Sequence, residues 1–320
     1  MDKKYDVIVV GELNVDLILN QINGFPEIGK EILADKMTLA LGSSSAICAS
    51  NLSSLGRKVA FIGKLGDDIF GHYTIGQLED KGVDTSMIIV DSDLETGATI
   101  ALSYDEDRAM VTHQGAMSHL NINDIDFQKL SLAKHLHFSS YFFQPGFKDT
   151  LHTLFKKAKE IGMTTSFDVQ WDPYEKWDLD LGKVLPHVDI FIPNEVELKK
   201  LTGSSDIDSA IDHVKNHSNY VVVKCGNKGS VLFYAGKRIL SKPFLNESVV
   251  DAIGAGDSFN AGYISKFIEG RAPEECQIFG NLIGAISTTK SGGTEAFKNM
   301  DEAMRTASKR FNYKNNETTG

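Results

Sequence analysis

Cysteine is scarce: Cys48, Cys225 and Cys276 are too few and too far apart for a disulfide framework or a paired-cysteine zinc site. A reducing compartment suits such a chain. Long apolar runs are also missing, since Val7–Val10 near the start is far shorter than a secretory core or a membrane span. A soluble cytoplasmic protein is therefore expected, and matches such as Asn51-Leu52-Ser53 carry no glycosylation message. Cations are outnumbered, with 33 Lys and Arg against 43 Asp and Glu for a net charge of −10. That balance excludes general attraction to nucleic acid or to an anionic membrane surface. An anionic partner must be held by local chemistry. The chain has no Walker A loop, no zinc-protease helix motif and no Gly-x-Ser-x-Gly elbow. After the first apolar run, VIVVGELNVD lacks the Gly-x-Gly-x-x-Gly of a dinucleotide-binding dehydrogenase.

What is present is ordinary globular composition over 320 residues, 42% hydrophobic and 24% charged, enough for a sizeable core. Short β-branched runs alternate with helix-period segments, the pattern of a parallel sheet covered by helices. Tyr5–Val10, Lys58–Ile62, His135–Ser139, Met163–Asp168, Val188–Pro193 and Tyr220–Lys224 read as strands. Ser45–Leu55, Ile69–Lys81, Phe147–Ile161 and Asn194–Leu201 read as helices, with Gly56 and Gly82 placed as left-handed C-caps. Two regions break the rhythm, Asn14–Ala40 and Thr96–His113, the second alternating like a half-exposed antiparallel pair. Together they predict a small discontinuous β lid, at approximately 12–40 and 95–115, on one domain spanning 1–312. The polar tail 313–320 is expected to be disordered.

The strongest local signal is DAIGAGDSFNAGYISKFIEG, Asp251–Gly270. Gly254 and Gly256 let backbone N–H groups approach a ligand, and a helix begins at about Ala255. A helix N-terminus holds a phosphate, or the charge that develops as one is transferred. Asp257, in the first turn, either stabilises that helix start or accepts a proton from an attacking hydroxyl. The neighbouring glycines favour the second use.

DAIGAGDSFNAGY resembles the C-terminal signature of the ribokinase-like (phosphofructokinase B) carbohydrate kinases. GSSSAICASNLSSLGRKVAFIGKLGDDIFG, Gly42–Gly71, is similar to their first motif, and the resemblance runs from about Val7 to Met304. It implies a three-layer α/β/α fold with a mostly parallel central sheet and a β lid. It also implies ATP-dependent phosphoryl transfer to a small carbohydrate with Mg2+, and in some members K+, in a homodimer joined through the lid. Residue by residue, it makes Asp257 the catalytic base and Gly254, Ala255 and Gly256 the anion hole. Asn14, Asp16, Gly42 and Ser43 fall in the sugar site, where the Asp16 carboxylate suits two vicinal hydroxyls. Asn194, Lys224, Gly226, Gly229 and Asn281 fall on the nucleotide, Glu197 on magnesium through water, and Asp251 and Ile253 on a monovalent cation. Asn194 and Glu197 are also a plain helix capping box, and both uses are compatible.

This sequence departs from the family at four positions. Gly42-Ser43 and Ile47 replace the usual Gly-Gly and a sugar-binding Asn. In FDVQWDP, Gln170 stands for Asn, and Asp172 occupies the position where kinases of sugar acids carry Arg, leaving Arg108 in the lid as the nearby cation. A neutral ketose or pentose is therefore expected as substrate. The alternatives are a nucleoside or a sugar acid such as 2-keto-3-deoxygluconate, or a non-catalytic sugar-binding regulator. His213 and His217 at helical spacing find no third ligand, and His135 and His137 on one strand face read as packed side chains.

Overall fold

Tyr5–Val10 is apolar on both faces apart from Asp6, and that pattern belongs in the middle of a parallel sheet. The computed structural model places it there; residues 3–22, 24–104 and 107–314 are described, without the side chains of Asp107 and Arg108. The strands are β1 Tyr5–Val10, β2 Asn14–Ile22, β3 Ala34–Leu41, β4 Val59–Ile62, β5 Lys64–Gly66, β6 Ile89–Asp91 and β7 Gly97–Tyr104. They continue with β8 Asp107–His113, β9 Ala133–Ser139, β10 Thr164–Asp168, β11 Ile190–Phe191, β12 Tyr220–Lys224, β13 Ser230–Tyr234 and β14 Lys237–Ser241.

Eight of them form the main sheet in the order β14-β13-β12-β11-β10-β9-β1-β4. The run from β12 to β4 is parallel, and the hairpin β13-β14 closes one edge antiparallel. One face buries Phe138, Phe147, Phe155 and Phe167. The other buries Val7, Val9, Phe61 and Val222 beneath the helices Ser44–Ser54, Ala255–Ile268 and Pro273–Ser287. Helices on both faces make the three-layer α/β/α architecture expected from the alternating pattern.

The differences are local. Val188–Pro193 pairs as a strand only over Ile190–Phe191, because a 3-10 turn ends at His187 and Asn194 opens the next helix. The helix expected from Phe147 starts at Leu151, after a 3-10 turn at Pro145–Phe147. The helices Ile207–Val214, Pro273–Ser287 and Met300–Phe311 complete the helical layers. Residues 315–320 of the tail lie outside the described residues.

The lid is a second sheet in the order β3-β2-β7-β8, with β2-β7 parallel and the outer pairs antiparallel. Strand alternation gives it two unlike faces. Asp16, Thr99 and Thr112 are in register on one; Leu17, Leu39, Ile100 and Val111 are in register on the other. Leu39, Ile100 and Val111 are 36%, 44% and 70% exposed, so that second face is an uncovered apolar strip.

Beneath the helix Ala255–Ile268 side of the main sheet, β9 and β10 carry a buried polar ladder. His135 Nδ1 meets Thr164 Oγ1 at 2.8 Å and its Nε2 meets Ser166 Oγ at 2.7 Å; His137 Nδ1 meets the same hydroxyl at 2.8 Å. Burial lowers the His137 pKa to about 4. An unfolded chain takes up that proton below its ordinary pKa of about 6.5 while the folded chain does not, so stability is full above that pH and falls as pH drops towards 4. His137→Asn should remove about 3 kcal/mol of the stability lost between pH 7 and pH 4. Urea unfolding of both proteins at the two pH values measures it, and an unchanged loss rules it out.

Candidate active site

Open parallel sheets bind ligands beyond the carboxyl ends of their strands, and here those ends carry the polar residues. β10 ends on Asp168 and β12 on Lys224; β1 runs through Gly11 into Glu12 and Asn14. Asp168 is fully buried, and its Oδ2 accepts from Lys224 Nζ at 2.5 Å, Asn260 Nδ2 at 2.5 Å and Gln170 Nε2 at 3.0 Å. The Gln170 amide also donates to Asp257 Oδ1 at 2.9 Å, from a backbone held at φ 62°. A residue in that left-handed region is a strained one, here aimed between two carboxylates.

Asp257 lies in the first turn of the helix Ala255–Ile268, 8% exposed, with no acid-cap bond of its own. Gly254 precedes it at φ 72°, and a Cβ there would fall 2.6 Å from Gly293 Cα, so only glycine lets the loop close on this helix end. The Ala255 N–H donates to Ala252 O at 3.3 Å, which leaves those of Gly256 and Asp257 as the first-turn donors without an intrahelical partner. Burial raises Asp257 to about 7, with the Asp168 charge adding to it and Lys224 opposing. Burial and Asp168 likewise raise Glu197 to about 7. Glu197 forms the full capping box with Asn194, both reciprocal bonds measuring 2.8 Å.

Around this centre are a polar cluster on one side and a cleft on the other. On the lid side, Asn14 Nδ2 donates to Asp16 Oδ1 at 2.9 Å and to Thr99 Oγ1 at 3.1 Å. Gly42 lies against both, since a Cβ there would come within 2.4 Å of Asp16 and 2.6 Å of Asn14. Ser43 is otherwise employed: its hydroxyl donates to Glu12 O at 2.6 Å and accepts from Ala46 N at 2.9 Å as the cap of the following helix. Ile47 is buried against Gly254 and Gly293. On the other side is a cleft of about 340 Å³ lined by Lys224, Gly226, Gly229, Phe244, Ala285 and Asn281 among others. Asn281 Nδ2 donates to Ser241 Oγ at 3.0 Å, so its amide nitrogen faces β14. Asp251 ties its own loop together, accepting from Ile253 N at 2.8 Å and Gly292 N at 2.9 Å.

The sequence matches the model of the pfkB family carbohydrate kinases over residues 4–300. The chain belongs to that family. A 5-dehydro-2-deoxygluconokinase of Lacticaseibacillus casei is 28% identical, covering 94% of this chain and 95% of that protein. Among solved structures, adenosine kinase from Sinorhizobium meliloti superposes with a TM-score of 0.83 at 25% identity, covering 95% of this chain and 99% of that one. A structure from E. coli titled as a ribokinase II in complex with ATP and Mg2+ gives 0.82 at 25%, covering 94% and 98%. The names of these relatives span a sugar acid, a nucleoside and a pentose at nearly equal similarity.

In this pfkB kinase, reasoning from sequence treated Asp168 and Gln170 only as variants of a motif and overlooked Glu12, Ser44 and Asn260. The available signal was register: Ser166, Asp168, His137 and Ser139 alternate onto one face of adjoining strands, which no helix-facing core requires. Asp172 also changes meaning. It is 2% exposed and accepts the N–H groups of Tyr174, Lys176 and Trp177 at 2.6–2.9 Å, so it folds its own loop. The side chain of Arg108 lies outside the described residues.

The buried Lys224–Asp168 pair gives a sharp expectation. Burial works against the Lys224 ammonium, but Asp168, Glu197 and Asp257 more than offset it and hold its pKa above the ordinary value. Lys224→Met would leave Asp168 charged and unpaired, costing about 3–5 kcal/mol. Denaturant unfolding at neutral pH measures this; a loss below about 1 kcal/mol would show that Asp168 is satisfied without the lysine.

Proposed function

We propose that this carbohydrate kinase uses ATP and Mg2+ to phosphorylate a hydroxyl of a small neutral sugar, a ketose or a pentose. The observation that carries this reading is the buried Asp257 in the first turn of a helix whose Ala255 and Gly256 line the cleft, tied through Gln170 to the Asp168–Lys224 pair. Sugar hydroxyls would bind Asp16 and Asn14, and the triphosphate would lie along the cleft with its end at Gly254, Ala255 and Gly256. Asp257 takes the proton of the attacking oxygen as that oxygen bonds to phosphorus and the bridging oxygen leaves with ADP. The N–H groups stabilise charge on the transferring oxygens.

Magnesium fits the donor set. Glu197 keeps one oxygen outside its cap, and Asp168 Oδ1 is buried with no hydrogen-bond partner, so the cluster has acceptors to spare for a hydrated cation. When bound, the ion neutralises phosphate charge. Asp251 and Ile253 are the residues that would serve K+, and their loop already has both Asp251 oxygens engaged.

Electrostatics supports a neutral acceptor. Asp16, Asp257, Asp168 and Glu197 surround the site and Lys224 is committed to Asp168, so a further carboxylate would be buried among acids. Tyr104, the lid aromatic that would suit a nucleobase, stacks on Phe25 with centroids 4.4 Å apart.

With MgATP and a panel of fructose, ribose, adenosine and 2-keto-3-deoxygluconate, ADP formation should be highest with a neutral sugar and fall below about pH 7 as Asp257 protonates. Asp257→Asn should lose about 10²- to 10⁴-fold in kcat while still binding ATP. Near wild-type turnover by that variant would sink the assignment. A preference for the acid that collapsed in Arg108→Ala would place the missing cation in the lid.

The apolar strip of Leu17, Leu39, Ile100 and Val111 is the face through which two copies would pair as a homodimer. Sedimentation should then show a dimer that Val111→Lys dissociates. A monomer at all concentrations would exclude this pairing.

A further inference from the structure

The helix Ser44–Ser54 carries a buried amide that the reaction above leaves unused. Asn51 is fully buried, and its Nδ2 donates to Ser258 Oγ at 2.9 Å and to Gly293 O at 3.0 Å. A backbone carbonyl can only accept, so the atom facing Gly293 is the nitrogen, and both of its protons are spent. Oδ1 of the same amide is buried without a hydrogen-bond partner among the described residues. An oxygen stranded in this way costs stability that a leucine of similar size would not. Packing alone therefore does not account for an asparagine here, whereas its two donors do.

What those donors hold is the start of the helix Ala255–Ile268. Ser258 directly follows Asp257, and its own N–H donates to Gly254 O at 2.8 Å, closing the first turn. Gly293 presses on the beginning of that turn, since a Cβ on Gly254 would fall 2.6 Å from Gly293 Cα. Ile47, one helical turn before Asn51 on the same face, packs on both glycines: a Cβ on Gly293 would meet its Cδ1 at 2.7 Å, and one on Gly254 its Cγ2 at 3.1 Å. The neighbouring Gly292 N–H is held by Asp251 Oδ2 at 2.9 Å. One face of the helix Ser44–Ser54 thus grips the glycine that opens the turn, the residue that closes it and the loop packed against it.

We infer that Asn51 is a positioning residue for phosphoryl transfer: by tying Ser258 and Gly293 to one amide it sets the spacing of Gly254 against Gly293, and with it the aim of the Gly256 and Asp257 N–H groups. The inference rests on the reading of Gly254, Ala255 and Gly256 as the anion hole. Donors of that kind act through a geometry fixed before the reaction and matched to the transition state. A small shift of the turn therefore lowers the rate without weakening the binding of either substrate.

The same helix and the same loop supply their own control. Further along the loop, Ser54 Oγ donates to Phe297 O at 3.3 Å, and Lys81 Nζ donates to Thr294 O at 3.0 Å and Phe297 O at 2.8 Å. Loss of the Ser54 hydroxyl breaks a buried link between the two elements as loss of the Asn51 amide does, but at a point away from Gly254. General loosening of the loop and misplacement of the turn are thereby told apart.

Asn51→Leu keeps the volume and removes both donors. With MgATP and whichever of fructose, ribose, adenosine and 2-keto-3-deoxygluconate turns over fastest, its kcat per folded protein should fall about 10- to 100-fold, with KM for ATP and acceptor within about twofold of wild type. Ser54→Ala should keep its kcat. A loss confined to KM, or an equal loss of kcat in Ser54→Ala, overturns the inference. So does full kcat in folded Asn51→Leu, and amide hydrogen exchange of the ligand-free variant then tells which half failed. Unmoved exchange at the Ser258 and Gly292 N–H groups, relative to those of β9, shows that Asn51 does not hold the turn; faster exchange shows that the turn is held but carries no anion hole. Should Asn51→Leu not fold, Ser258→Ala removes one of the two links and should cut kcat about threefold or more, and wild-type kcat there overturns the inference.

Discussion

A buried charge pair at the end of two sheet strands, Asp168 with Lys224, organises everything on this side of the molecule. A carboxylate at that depth is tolerable only if a cation and further donors face it, and Lys224, Asn260 and Gln170 all do. Those donors come from β12, from the helix Ala255–Ile268 and from the turn after β10. Satisfying one carboxylate therefore fixes three elements relative to each other. Gln170 passes the constraint on to Asp257, and burial, with the crowd of acids adding to it, lifts Asp257 and Glu197 towards neutrality.

Much of the architecture was legible because it depends on period. Buried parallel strands read as unbroken apolar runs, and the lid reads as strict alternation; both are properties of a few consecutive residues. Asp251–Gly270 was legible for a different reason: a left-handed glycine ahead of a helical run leaves little choice of backbone. Glu12 was not, because its partners Ser43 and Ser45 lie far along the chain, at the start of the helix Ser44–Ser54. Ser43 was read for its neighbourhood, yet its hydroxyl is consumed by the helix it begins. Asp172 looked like a statement about substrate charge and is a loop fastener. A polar residue's role follows from what lies across from it, which local pattern does not encode.

The identities of the relatives leave the acceptor undetermined, and the structure suggests why one scaffold accommodates several. The proposed anion hole and base and the Asp168–Lys224 pair are built from the main sheet and the helix Ala255–Ile268, whereas Asn14, Asp16 and Thr99 belong to the lid. In the proposed reaction the reacting end and the selecting end are different pieces of secondary structure. Substitutions in one need not disturb packing in the other.

The join between those pieces is short. Only Gly11, Glu12 and Leu13 separate β1 of the main sheet from β2 of the lid. Glu12 and Leu13 are both held inside the core, so the lid is mounted on a stiff pivot rather than on a tether. Asn14 and Asp16, the proposed acceptor contacts, begin immediately beyond the pivot, where a rotation of the lid would displace them least. A tilt about it would sweep the far edge, near Phe25 and Tyr104, through a long arc while Asn14 and Asp16 barely moved. A lid mounted this way would let an acceptor be gripped first and water be excluded afterwards.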